Sequence, residues 1–171
     1  HLNYTLSETA LASCLQQCGI KTVLTSKEFL EQGKLKVACP TVVLEELAER
    51  AGFGEKLVAF LMAKVLPAGL LEKALGAPKK VELDDLATVI FSSGSTGDPK
   101  GVMLSHYNIG SNIEQLGQTF ALGSKDRLLG VLPFFHSFGF TGTLCLPAAL
   151  GLGVVYHPNP LDARSIGELV N

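Results

Sequence analysis

The sequence predicts an α/β fold, a layered sheet-and-helix arrangement, and three observations carry that prediction. Segments with a helical stripe of apolar residues alternate with short β-rich runs along the first part of the chain. A loop of small hydroxyl and glycine residues separates two β-rich segments near the middle. Hydrophobic residues fill 47% of the 171 positions against 18% charged, enough apolar material to close a core and too much for a disordered tail.

Taken in order, Ser7 is placed to cap a helix whose apolar stripe is Leu11, Cys14, Leu15 and Cys18, with Gly19 as its left-handed stop. A strand is expected over Thr22 to Thr25, then a short helix opened by Ser26 and closed by Gly33, then an extended run from Leu35 to Val37. Glu55 to Leu75 reads as an apolar helical segment punctuated by Lys56, Lys64 and Lys73, with Pro67 inside it. Gly76 to Asp85, rich in charge and carrying Pro78, reads as a solvated connection, which divides the chain into portions 1–80 and 81–171. Strands are expected at Thr88–Phe91 and Val102–Leu104. Ser105 then caps a helix that buries Ile109, Ile113, Leu116 and Phe120 and stops at Gly123. Strands at Arg127–Leu132 and Gly153–Tyr156 bracket a helix from Ser137 to Leu150.

The net charge of −2 offers no basic stripe to displace counterions from a phosphate backbone, so a nucleic-acid partner is not expected and any nucleotide bound should be a free one. Cys14, Cys18, Cys39 and Cys145 lack the spacing of a zinc site or a disulfide framework and read as reduced thiols, which points to a reducing cytoplasm. No stretch has the pattern of a cleaved leader or the length of an apolar span. The chain starts at His1 inside what reads as continuing structure and stops at Asn171 in a helix-like run, so a piece of a longer protein is expected.

The functional signal lies in Ser92, Ser93, Gly94, Ser95, Thr96, Gly97, Asp98, Pro99, Lys100 and Gly101, which put four hydroxyls, three glycines and one lysine into ten positions. That mixture suits anion capture. Backbone N–H groups approach phosphate oxygens where side chains are missing, hydroxyls add donors, and the lysine supplies charge. A flexible linker would not place Pro and Lys at fixed offsets between two β-rich segments. The P-loop of nucleoside triphosphatases does not fit: counting from Gly94, its second glycine position holds Pro99, and Gly101 follows Lys100 where a hydroxyl is required.

This run resembles the signature loop of the adenylate-forming, AMP-binding superfamily, which includes acyl-CoA synthetases. A second stretch, Leu132-Pro133-Phe134-Phe135-His136-Ser137-Phe138-Gly139, is similar to the family's next motif, at the acyl and adenylate pocket. Residues 128–163 look most similar to one branch, the acyl-carrier-protein synthetase part of bacterial 2-acylglycerophosphoethanolamine acyltransferases and related long-chain fatty-acid ligases. The resemblance implies part of the large N-terminal domain, with 81–171 as the phosphate-loop portion and the C-terminal remainder absent.

In such enzymes a carboxylate attacks the α-phosphate of ATP, and a thiol then takes the acyl group from the adenylate. By resemblance, the loop residues Ser92 to Gly97, with Lys100 and Gly101, would hold ATP phosphates, and Thr96 would sit near Mg²⁺. His136 would be the catalytic residue beside the carboxylate, with Phe134, Phe135, Phe138 and Gly139 shaping the pocket. A lone histidine among phenylalanines is otherwise an ordinary core residue. The partners implied are a fatty acid or other carboxylate and the thiol of acyl-carrier protein or CoA, in a cytoplasmic parent associated with the inner membrane. Two alternatives stay open: a CoA ligase for another carboxylate, and a nucleotide-binding module without catalysis. The family's later motifs have no counterpart before Asn171, so this chain alone is expected not to turn over. The segment from Leu57 to Leu75 is expected to pack against the sheet, with contact to a membrane surface as the competing reading.

Overall fold

The computed structural model describes residues 2–33, 37, 39–76, 80–92 and 98–170. The chain divides into two compact units, one of residues 19–82 and one formed by 1–18 together with 83–171.

In the unit of residues 19–82, β1 (Val23–Thr25) pairs in parallel with β2 (Thr41–Val43), Val23 opposite Thr41, and α2 (Lys27–Gly33) lies in the crossover between them. The Glu45 carboxylate, in α3 (Leu44–Arg50), accepts from the Lys27 N–H at 3.2 Å and so satisfies a free donor at the start of α2. The extended run expected at Leu35–Val37 lies mostly outside the described residues. The apolar segment is two helices, α4 (Phe53–Val65) and α5 (Ala68–Ala74), because Pro67 cannot continue a helix and instead starts the next. Glu55 accepts from the Gly52 N–H at 2.9 Å at the entry to α4. The expectation that this segment is buried is overturned: no residue of α3, α4 or α5 is buried, and Phe53 is 83% and Val65 75% exposed.

The other unit holds the core. The helix α1 (Glu8–Gln17), capped by Ser7 accepting from Ala10 N at 3.3 Å, contributes Leu11, Cys14 and Leu15. Cys18, placed on that buried stripe by the sequence, is exposed, since it is the C-cap where the helix has already ended. β3 (Leu86–Ser92) and β4 (Lys100–Ser105) form an antiparallel ladder, with Ile90 buried. Ser105 and Asn108 cap each other at the start of α6 (His106–Phe120), the Asn108 N–H donating to Ser105 Oγ at 3.2 Å and the Ser105 N–H to Asn108 Oδ1 at 3.0 Å. Of the face predicted for α6, Ile113 is buried, Ile109 and Leu116 are half-buried, and Phe120 is exposed because the helix closes at Ala121, in the left-handed region at φ 49°, ahead of Gly123.

β5 (Arg127–Gly130) and β6 (Gly153–Tyr156) are parallel, Arg127 opposite Gly153 and Gly130 opposite Tyr156. The helix expected between them is a π-helix over Gly139–Cys145 that runs into α7 (Leu146–Leu150). The Thr143 hydroxyl donates to the Gly139 carbonyl at 2.7 Å, a bond back to the residue one turn earlier. Phe140, Leu146 and Leu152 complete the core, and α8 (Ala163–Val170) ends the described chain. Among the described residues the fold is thus α/β, with three two-stranded ladders flanked by helices rather than one continuous sheet.

Candidate active site

The β3–β4 ladder is the stem of the loop singled out above. Its last pair is Ser92 opposite Lys100, and Ser92 Oγ donates to the Lys100 carbonyl at 3.4 Å. The two strands predicted on either side of that run are therefore present as a pair, and Lys100 opens β4, with a strand and not a helix N-terminus in the P-loop position. Ser93, Gly94, Ser95, Thr96 and Gly97 lie outside the described residues. Gly101 sits opposite Phe91 in the ladder, where a Cβ would come 2.9 Å from Val89 Cγ1. Pro99 is buried and its carbonyl accepts from Gln17 Nε2 at 3.1 Å.

The second motif leaves the end of β5. The His136 N–H donates to the Pro133 carbonyl at 3.0 Å, closing a turn, and the Phe138 N–H donates to His136 Nδ1 at 3.2 Å. An imidazole that accepts at Nδ1 carries its proton on Nε2 when neutral, so the tautomer is set by the next turn of chain. Gly139 is buried under that turn: a Cβ there would run into the Pro133 carbonyl oxygen and lie 2.8 Å from that of Leu132. Only glycine allows this approach.

Beside the turn is a cavity of about 550 Å³ at the carboxyl ends of the parallel strands. Phe134 and Phe135 form part of its wall, joined by Tyr4, Tyr156 and His157. Phe134 meets Tyr156 edge to face at 5.4 Å between ring centres, and Phe135 meets Tyr4 in the same way at 5.1 Å. The Tyr156 hydroxyl donates to the Thr143 carbonyl at 2.7 Å, which ties the cavity wall to the π-helix. His136 and Phe138 are exposed and Gly139 is buried, and none of the three lines this cavity.

Tyr4, Tyr156 and His157 had no signal in the sequence. They reach the cavity through topology, as a parallel partner strand and an N-terminal segment bring distant residues together. The one usable hint is that Tyr156 ends a β-rich run after a helix, a position that a crossover returns to the end of the preceding strand.

The electrostatics around the cavity are modest. His157 Nε2 is 3.6 Å from Asp162 Oδ2, within ion-pair reach when the imidazole is protonated. The Ser165 hydroxyl at 2.7 Å and then its N–H at 3.1 Å donate to the Asp162 carboxylate and hold its carboxyl below the usual range. Burial pushes the Cys14 and Cys145 thiols up, which leaves them poor nucleophiles.

The sequence and the fold have counterparts in known proteins. A feruloyl-CoA synthase from Amycolatopsis sp is 36% identical over 126 residues, covering 72% of this chain and 25% of that protein. A long-chain-fatty-acid–CoA ligase from Bacillus subtilis is 34% identical over 96 residues, covering 54% of this chain and 17% of the ligase. The chain thus spans no more than about a quarter of the length of these relatives. O-succinylbenzoate coenzyme A synthetase (MenE) from Bacillus subtilis, solved in complex with ATP and magnesium ion, superposes with a TM-score of 0.72 at 22% identity, covering 99% of this chain and 31% of the synthetase. That likeness shows a shared fold. With the model of the AMP-binding enzyme family matching residues 1–171 throughout, the chain belongs to that family.

Proposed function

We propose that the chain is the part of an ATP-dependent, carboxylate-activating ligase that receives the ATP phosphates and builds one wall of the acyl pocket. The observation that carries the reading is the stem: an antiparallel ladder that ends on Ser92 and Lys100, the residues that bracket the hydroxyl and glycine run in the sequence. The donor set suits a triphosphate, since each hydrogen bond to a charged oxygen contributes about 1.5–3 kcal/mol and a loop of amides, hydroxyls and one lysine offers several. In this reading Ser92, Ser93, Gly94, Ser95, Thr96, Gly97, Lys100 and Gly101 surround the phosphates, and Thr96 stands near the Mg²⁺ that accompanies them. His136, its Nδ1 engaged by the next turn, directs Nε2 chemistry toward the carboxylate, and Phe134 and Phe135 present apolar surface to the acyl group.

The names of the relatives favour CoA as the thiol. Acyl-carrier protein as acceptor, a long-chain fatty acid as substrate, lysophospholipid reacylation and a cytoplasmic parent stationed at the inner membrane are the finer reading. It is supported by the resemblance of residues 128–163 and by the uncovered apolar surface of α4 and α5, which suits an interfacial helix pair. Liposome flotation of the intact protein with and without 53–75 tests that contact, and equal flotation removes it.

The main test is ATP–pyrophosphate exchange by the intact protein. Lys100→Ala is expected to slow exchange by roughly 10²-fold, the order lost with one charge-stabilising donor, and His136→Ala to impair adenylation. Wild-type rates in Lys100→Ala would remove the loop assignment. Tight ATP binding with no exchange would favour the non-catalytic module. This chain by itself is expected to give no exchange.

A further inference from the structure

Gln17 is the last residue of α1, and its side chain bridges 82 residues of sequence to the base of the loop. Nε2 donates to the Pro99 carbonyl at 3.1 Å and to Ser13 Oγ at 3.1 Å, so both hydrogens of the amide are engaged and its orientation is set. The helix beneath is held by the buried Leu11, Cys14 and Leu15, which makes it a firm base. On the far side of Lys100, Ser92 Oγ donates to the Lys100 carbonyl at 3.4 Å. The two carbonyls that flank the Lys100 Cα are thus each held by a side chain, and the Gln17 bond is the shorter.

We infer that Gln17 is a positioning residue for the phosphate loop, fixing the Pro99–Lys100 peptide and hence the direction in which the Lys100 ammonium leaves the backbone. This rests on the reading that Lys100 meets the triphosphate. The bland alternative is a bond that only fastens α1 to β4. The two differ in what they change, because misdirecting Lys100 weakens engagement of ATP selectively, whereas loosening the fold affects both substrates.

The experiment is exchange kinetics and thermal unfolding of the intact protein carrying Gln17→Met, which keeps length and loses the donor. The expected result is a KM for MgATP raised about fivefold, the effect of one lost hydrogen bond, with the carboxylate KM within about twofold and Tm little changed. Gln17→Arg, measured at high salt to screen the added charge, restores a donor and should bring the MgATP KM back. An unchanged MgATP KM in Gln17→Met, alongside severe loss in Lys100→Ala, overturns the inference and leaves the loop reading intact. Equal rises in both KM values with a lowered Tm overturn it in favour of the fastening role. Undiminished exchange in Lys100→Ala removes the loop reading, and the positioning role with it.

Discussion

Residues 19–82 and the unit built from 1–18 and 83–171 are both rich in apolar side chains, yet their burial is opposite. Every buried apolar residue described, from Leu11 to Leu152, belongs to the second unit, while among the described residues of the first none is buried. The lesson is that hydrophobic sequence and hydrophobic core are separate properties. In the second unit α1, α6 and the π-helix are brought against paired strands, and α7 against α6 and the π-helix. In the first, α4 carries Phe53, Phe60 and Val65 in the open and α5 carries Leu70, and each such side chain forgoes about 1.5–3 kcal/mol until something covers it.

The largest expected effect is at the tightest point of the buried unit. Gly139→Ala sets a Cβ against two backbone carbonyls that cannot move aside, and a loss of about 3 kcal/mol or more is expected in urea unfolding. An unchanged midpoint would mean that the turn at Pro133 is loosely held. Tyr156→Phe keeps the ring against Phe134 but removes the donor to the buried Thr143 carbonyl, for a loss of about 1 kcal/mol. In the uncovered unit the sign reverses. Gly54 in α4 has nothing within 4 Å of its Cβ position, so Gly54→Ala should stabilise the helix by about 0.5–1 kcal/mol. Destabilisation there would show that α4 is already packed, and the contrast between the units would fail.

The smallest effect is a pH dependence at the edge of the cavity. The Ser165 donors depress the folded pKa of Asp162, so the stability they provide is present above the unfolded value of about 3.9 and fades as pH falls through the folded one. Ser165→Ala should move the Asp162 titration back toward the ordinary range, as followed by carboxyl NMR. An unmoved midpoint would assign the shift to another group.

Local signals made much of this legible. The β3–loop–β4 stem could be read because glycine, hydroxyl and lysine are bracketed by β-branched residues, and α1 and α6 announced themselves through Ser7 and Ser105. What the sequence did not disclose depends on distant partners or on the choice of acceptor along a helix. The π-helix over Gly139–Cys145 differs from an α-helix only in which carbonyl each N–H takes, a choice no periodicity reveals. Tyr4, Tyr156 and Gln17 gain their roles only when the fold carries them to Phe135, Phe134 and Pro99. The exposure of α4 was hidden because an apolar helix looks the same in sequence whether the covering surface is protein or lipid.

Whether Lys100 and its neighbours receive the triphosphate is decided by a crystal structure of the intact protein with MgATP. The β and γ phosphates are expected within hydrogen-bonding distance of Lys100 Nζ and of the amides and hydroxyls of the run between β3 and β4. A triphosphate lodged elsewhere, with Lys100 facing bulk water, would contradict that placement.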